Sequence, residues 1–287
     1  MAVQVSAGWV KVAVAVVAAV AVVVGLLWAF QRKLIFLPDT SAVPPAAEML
    51  TGGRDVTLRT EDGLELAAWY VPAPGQPSLT QCRPTVIVAN GNAGNRLSRV
   101  LLGRALVDAG FGVLLVDYRG YGGNPGSPSE TGLAADLRAA HQFLTVDQGI
   151  GDDALIYFGE SLGAAVMTGL AAEHPPAGLL LRSPFTELAE VAQQHYPVLP
   201  VRLLLRDRFP VLQTIAGIRV PTTVIYGTAD TVVAPEQSRA VAAASAAPAV
   251  LVELPGADHN DPDLVSGPLV VAAVVELAGR AGCSPTP

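Results

Sequence analysis

The sequence predicts an α/β domain with a mostly parallel central sheet and helices on both faces, preceded by one N-terminal transmembrane helix. Three observations predict it. Short β-branched runs alternate with longer helical stretches between residues 54 and 280, the pattern of a parallel sheet crossed by helices. Val12 to Phe30 holds only apolar side chains and Gly25, and as a helix it would span roughly 28 Å, close to the hydrocarbon thickness of a bilayer. Gly159-Glu160-Ser161-Leu162-Gly163 stands between a predicted strand and a predicted helix, where a tight turn can hold one side chain above a sheet edge.

The elements follow in order. Residues 1–11 are a flank and 12–30 the anchor, with Trp9 and Trp28 near its two ends, where amphipathic rings prefer the interface. A cleaved signal peptide is the rival. Its apolar region would be about 7–15 residues long and end at small residues, whereas this run is longer and leads into Trp28-Ala29-Phe30-Gln31-Arg32-Lys33. Lys11 and the amino terminus on one side balance Arg32 and Lys33 on the other, so the charge rule leaves the orientation open. Residues 31–53, with Pro38, Pro44, Pro45, Gly52 and Gly53, read as a juxtamembrane linker.

Residues 54–280 form the domain. Arg54–Thr60 and Leu64–Val71 read as a strand pair turned at Glu61-Asp62-Gly63, and Thr85–Ala89 as a buried strand before a helix near 96–109. Gly112–Asp117 is a strand, residues 131–145 a helix, and Ala154–Phe158 the strand that enters the Gly159 motif. A helix near 162–173, a strand Gly178–Leu181 and a variable segment 184–216, the probable lid, come next. Thr222–Tyr226 and Val250–Leu254 are the last strands, with helices near 235–247 and 264–280, and 281–287 is a tail.

Composition excludes several classes. With 18 Lys and Arg against 25 Asp and Glu, and no basic run, the chain is not built to hold a nucleic-acid backbone. Cys82 and Cys283 are too few for a disulfide scaffold or a Cys-rich zinc site. No metal and no cofactor is expected.

Ser161, exposed on its turn, is the candidate nucleophile. A serine needs a base, and the chain has four histidines. His141 falls inside a predicted helix, His174 at a helix end and His195 in the variable segment, whereas His259 follows the last strand in Pro255-Gly256-Ala257-Asp258-His259-Asn260-Asp261. The carboxyl ends of parallel strands are where this architecture presents functional groups. The base should be oriented by a carboxylate. Asp230 follows another strand and completes the order Ser, Asp, His, while Asp258, Asp261 and Asp263 are alternatives beside His259.

Donors for a developing oxyanion would be the backbone N–H of Leu162 and that of Asn92 in Asn90-Gly91-Asn92-Ala93-Gly94-Asn95. That loop has neither the spacing nor the Lys of a phosphate loop. Asp117-Tyr118-Arg119 either lines the pocket or braces the loop through an Asp–Arg pair, and Leu199, Val201, Leu203, Leu204 and Leu205 either face an acyl chain or pack on the core.

Together the stretches Gln31–Phe36, Gly91–Asn95, Asp117–Gly122, Gly159–Gly163, Ser183–Thr186 and His259–Asp261 resemble the α/β-hydrolase superfamily. Within it they resemble the small membrane-anchored serine hydrolases of the bud-emergence-protein type. The resemblance implies an α/β-hydrolase fold, Ser161, Asp230 and His259 as nucleophile, acid and base, and Asn92 with Leu162 as oxyanion hole. Asn90 is a departure, because such proteins usually carry His there, which puts the loop's hydrogen bonding in question rather than the triad.

The implied function is a membrane-anchored serine hydrolase that cleaves an ester, thioester or amide through an acyl-enzyme on Ser161. Its partners would be a small-molecule or lipid-like acyl substrate and the membrane. A serine peptidase and a non-catalytic membrane-tethered binding module are the other readings.

Overall fold

Eight strands form one sheet, in the order β10-β9-β8-β7-β4-β6-β3-β2, in a computed structural model that describes residues 7–75 and 82–285. The first two of these strands in the chain, β2 (Arg54–Arg59) and β3 (Glu65–Val71), pair antiparallel, and β3 pairs antiparallel with β6 (Gly112–Val116). From there β4 (Thr85–Ala89), β7 (Leu155–Glu160), β8 (Gly178–Arg182), β9 (Thr222–Gly227) and β10 (Val250–Leu254) continue in parallel. The five strands from β6 to β9 across the middle are buried along their whole length, as strands covered on both faces must be.

One face is covered by α4 (Glu130–Gln142), α5 (Leu162–Glu173), α8 (Val211–Ile215) and α9 (Pro235–Ala244), the other by α3 (Val100–Asp108), α10 (Pro262–Ser266) and α11 (Pro268–Arg280). One helix and one strand end differ from the sequence expectation for local reasons. The single helix expected over 264–280 is broken at Gly267, because Pro268 has no N–H to continue the first segment and instead opens the second. The strand expected to stop at Phe158 runs to Glu160, because Gly159 and Glu160 stay in register with Leu181 and Arg182.

The N-terminal helix α1 extends over Ala7–Ile35, past the end of the apolar run. Within Gly8–Ile35 the most apolar stretch of 18 residues has a mean hydropathy of 2.8, and Trp9, Val12, Val16, Val20 and Leu26 are all exposed. The stretch read as a linker is folded onto the domain. Leu37–Pro38 (β1) pairs in parallel with Ala93–Gly94 (β5), and α2 (Ala46–Met49) lies against β2. Phe36, Ala46 and Leu50 supply the buried surface that seats it; the prolines around them shape the path rather than loosen it.

Cys82, just ahead of β4, is disulfide-bonded to Cys283 after α11. Their Cα atoms are 5.1 Å apart across a sequence separation of 201. The bond lies at the amino-terminal edge of the parallel strands, away from the edge where Ser161 sits.

Candidate active site

Ser161 joins β7 to α5 with φ 50° and ψ −110°, a backbone conformation that a side-chain-bearing residue adopts only when its surroundings enforce it. The enforcement is visible. The Ser161 N–H donates to the Arg182 carbonyl on the neighbouring strand at 2.8 Å. A Cβ on Gly159 would meet the Gly163 carbonyl oxygen at 2.5 Å, and one on Gly163 would meet the Asn90 carbonyl oxygen at the same distance. Both glycines are therefore demanded by the closeness of helix and strands.

Across the sheet edge, His259 and Asp230 meet: Nδ1 of the ring lies 2.7 Å from Oδ2 of the carboxylate. The other oxygen, Oδ1, accepts the N–H groups of Val232 at 2.9 Å and Val233 at 2.8 Å. Burial alone would raise the Asp230 carboxyl, but His259 and the two amides outweigh it and hold it below the ordinary range. The alternative carboxylates face elsewhere. Asp258 accepts from the Thr231 and His259 amides, and Asp261 caps α10 by accepting the Asp263 N–H.

The remaining histidines are accounted for as well. His141 meets Asp152 at 2.6 Å and stacks on His174, and His195 lines the cleft with Nε2 3.0 Å from the Val232 carbonyl oxygen. Ser161 shares that cleft with Asn92, Leu162, Val232 and Val233. The structure draws no hydrogen bond between the Ser161 hydroxyl and the His259 ring, a contact that in hydrolytic sites commonly tightens only with substrate present.

The loop holding Asn92 is braced from several sides. Asn90 Nδ2 donates to the Val116 carbonyl at 3.1 Å and to Asp117 at 3.2 Å, and the Asn90 carbonyl accepts from the Tyr118 hydroxyl at 2.8 Å. Asparagine at this position thus keeps the loop bonded. The Asn92 carbonyl accepts both the Leu37 N–H and the Tyr121 hydroxyl at 2.8 Å, while its Nδ2 donates to the Ile35 carbonyl at 3.1 Å. The Asn92 N–H takes part in none of these bonds.

Asp117 and Arg119 both brace, but not each other. Asp117 pairs with Arg96, and burial pushes its carboxyl up to about 6 against the pull of that guanidinium. Arg119 bridges Asp136 and Asp62.

Sequence reasoning passed over Glu160. It is fully buried beneath the turn, where it accepts from Arg99 Nε at 2.8 Å and from Arg182 at 3.0 Å. The two guanidinium groups outweigh the burial that would raise it and keep its carboxyl low. Arg182 also donates to the His259 carbonyl at 2.7 Å. One ionic cluster therefore ties the Ser161 turn to the His259 loop. The signal was present in the sequence: an acid inside the Gly159–Gly163 motif and an arginine ending the apolar strand Gly178–Arg182.

A cleft of about 440 Å³ opens above Ser161, within the range of small-molecule sites. Residues 184–216 fold as α6 (Leu188–His195), α7 (Val201–Leu204) and α8, and the roof of the cleft is α6 with Phe185, Tyr196 and Leu205, together with Leu34 and Ile35 at the end of α1. Leu205 faces this cleft, and Leu199, Val201 and Leu204 face an adjoining space. Leu203 points outward and is 84% exposed.

Comparison with known proteins agrees with this arrangement. Residues 84–200 match the family described as alpha/beta hydrolase fold. An uncharacterised protein of Mycobacterium tuberculosis is 49% identical over 262 residues, covering 91% of this chain and 92% of the relative. The lysophosphatidylserine lipase ABHD12 of Danio rerio is 31% identical over 204 residues, 62% of this chain and 53% of the lipase. Among solved structures, an esterase of Pyrococcus furiosus superposes with a TM-score of 0.67 at 21% identity, over 86% of this chain and 97% of that one, which speaks to the fold.

Proposed function

Because the chain belongs to the α/β-hydrolase fold family, we propose that it is a membrane-anchored serine hydrolase that cleaves carboxylic esters or chemically related acyl compounds. The observation that carries the reading is the His259–Asp230 pair, held at the same sheet edge as the strained Ser161 turn. Ser161 Oγ attacks the acyl carbon while His259 Nε2 takes its proton, and Asp230 stabilises the imidazolium through Nδ1. The oxyanion that forms accepts from the N–H groups of Asn92 and Leu162. Collapse expels the leaving group with the proton from His259, and water then hydrolyses the acyl-enzyme by the same path. The lipase name of the Danio rerio relative favours an ester over an amide.

The anchor reading rests on α1. Its outer part offers an exposed apolar surface of bilayer length, and its last turns bond to the domain. Cleavage near Phe30 would unravel the helix end that holds Asn92, which argues for retention. The Cys82–Cys283 bond favours the oxidising, non-cytoplasmic side of the membrane for the domain.

A fluorophosphonate probe tests the assignment. Full-length protein should be labelled, and Ser161→Ala and His259→Ala should not. Labelling that survives in Ser161→Ala would remove the nucleophile assignment, and an unlabelled, folded wild type would remove the hydrolase reading.

A further inference from the structure

Two apolar spaces meet under the lid. One is the cleft above Ser161. The other, about 160 Å³, lies between α1 and the lid and reaches Leu27 and Leu199 at its far end. Leu34, Ile35, Ala192, Tyr196 and Leu205 face both spaces, so the two adjoin across these side chains, and a shift of those side chains would join them into one passage from the nucleophile to the anchor.

The chemistry of the passage is that of a hydrocarbon site. In the far space Gln31 is the one amide, and its polar atoms are taken. Its Nε2 donates to the Leu204 carbonyl at 3.0 Å, and its Oε1 accepts the Arg206 N–H at 2.8 Å. Tyr196 is the one other polar side chain of the far space, and the rest of its lining is aliphatic. The helix contributes Leu27, Gln31, Leu34 and Ile35, spaced so that they share one face. Leu27 belongs to the apolar run Val12–Phe30, so the far end of the passage lies level with the hydrocarbon of the bilayer that the run would span.

We propose that the last turns of the anchor are the wall of an acyl channel, and that Leu27 and Leu199 set the chain length it accepts. The occupant is the single long chain of a membrane-resident monoacyl ester, drawn sideways from the leaflet, with its ester carbonyl at Ser161. The space at the far end, about 160 Å³ beside the cleft of about 440 Å³, is assigned a single chain. The anchor is on this view a specificity element of the enzyme as well as its tether. The proposal rests on the serine-hydrolase reading above.

The test is kcat/KM of the full-length protein in lipid nanodiscs across p-nitrophenyl esters of four to sixteen carbons. Each methylene that enters the channel should raise it about fourfold, the equivalent of about 0.8 kcal/mol, until the far end is reached. Leu27→Trp and Leu199→Trp, which fill that end from opposite walls, should leave the four-carbon ester within about twofold while cutting the sixteen-carbon ester by more than tenfold, given a penalty of about 1–3 kcal/mol for a misfit in an apolar pocket. Leu26→Trp, one position along the same helix and exposed, should reproduce the wild-type profile.

A wild type whose Ser161 takes the fluorophosphonate but whose profile is flat overturns the channel and spares the hydrolase. So do tryptophan variants that lower all chain lengths equally or none. If folded wild type neither takes the probe nor cleaves any ester, both readings fall together.

Discussion

The floor and the roof of the cleft are built by opposite means. The floor is fixed by buried charge: Glu160 between Arg99 and Arg182, Arg182 on the His259 carbonyl, Asp230 on the His259 ring. The roof is apolar. It is pinned at one side, where Arg32 meets the buried Asp207 at 2.7 Å, Asp207 accepts the Glu130 N–H and Gln31 bonds to the backbone at Leu204 and Arg206, and the surface it turns toward the two spaces is mainly aliphatic. The difference assigns work. Reacting atoms need placement within fractions of an ångström, which directional ionic bonds supply, whereas a flexible chain is held by contact area that tolerates adjustment.

The contrast can be broken from the floor first. Asp230→Asn should lower kcat by about 10⁴-fold with the acyl-chain profile intact, because it disturbs the ring and not the roof. Its cost in stability has a defined pH dependence. The Asp230 carboxyl is held below its ordinary value of 3.8 in the folded protein, so its contribution is complete above that pH and is lost as pH falls through the lowered value. Urea midpoints of variant and wild type should therefore differ at pH 7 and converge in acid.

Glu160→Gln removes the charge between two buried arginines. A loss of about 3–5 kcal/mol should appear as a melting temperature roughly 10 °C lower, together with a reduced kcat from a loosened His259 loop. An unchanged melting temperature would show that the cluster does not fix the floor.

Cys283→Ser opens the bond at the far edge of the sheet. It should cost about 2–5 kcal/mol of stability while kcat at 25 °C stays within twofold, separating global stability from the site. Smallest of all, Leu203→Ser on the outer face of the lid should change stability by no more than about 0.5 kcal/mol and leave the ester profile alone, read by the same nanodisc assay.

Much of this was legible in residue order. Strand–helix alternation and the junction of Ala154–Phe158 with Leu162 located the turn, because a buried parallel strand and a glycine-bounded serine each leave a local trace. The positions following β9 and β10 likewise pointed to Asp230 and His259, which the structure brings to 2.7 Å. What was not legible depends on contacts between distant segments. Residues 31–53 carry the prolines and glycines of a linker, yet Phe36, Ala46 and Leu50 bury themselves, and whether an apolar residue finds a partner cannot be read from its neighbours. Glu160 was missed for the same reason, since its meaning comes from Arg99 and Arg182. The two sides of the lid leucines became distinguishable only when α1 was seen beside them.

The bonds between Gln31 and the chain at Leu204 and Arg206 span 173 and 175 residues. During synthesis the anchor's inner face therefore emerges long before the segment that covers it. On the proposed anchored reading, the bilayer would shelter this apolar stripe in the interval, and folding would consist partly of exchanging lipid for lid, with the membrane acting as a chaperone to the residues that later wall the cleft.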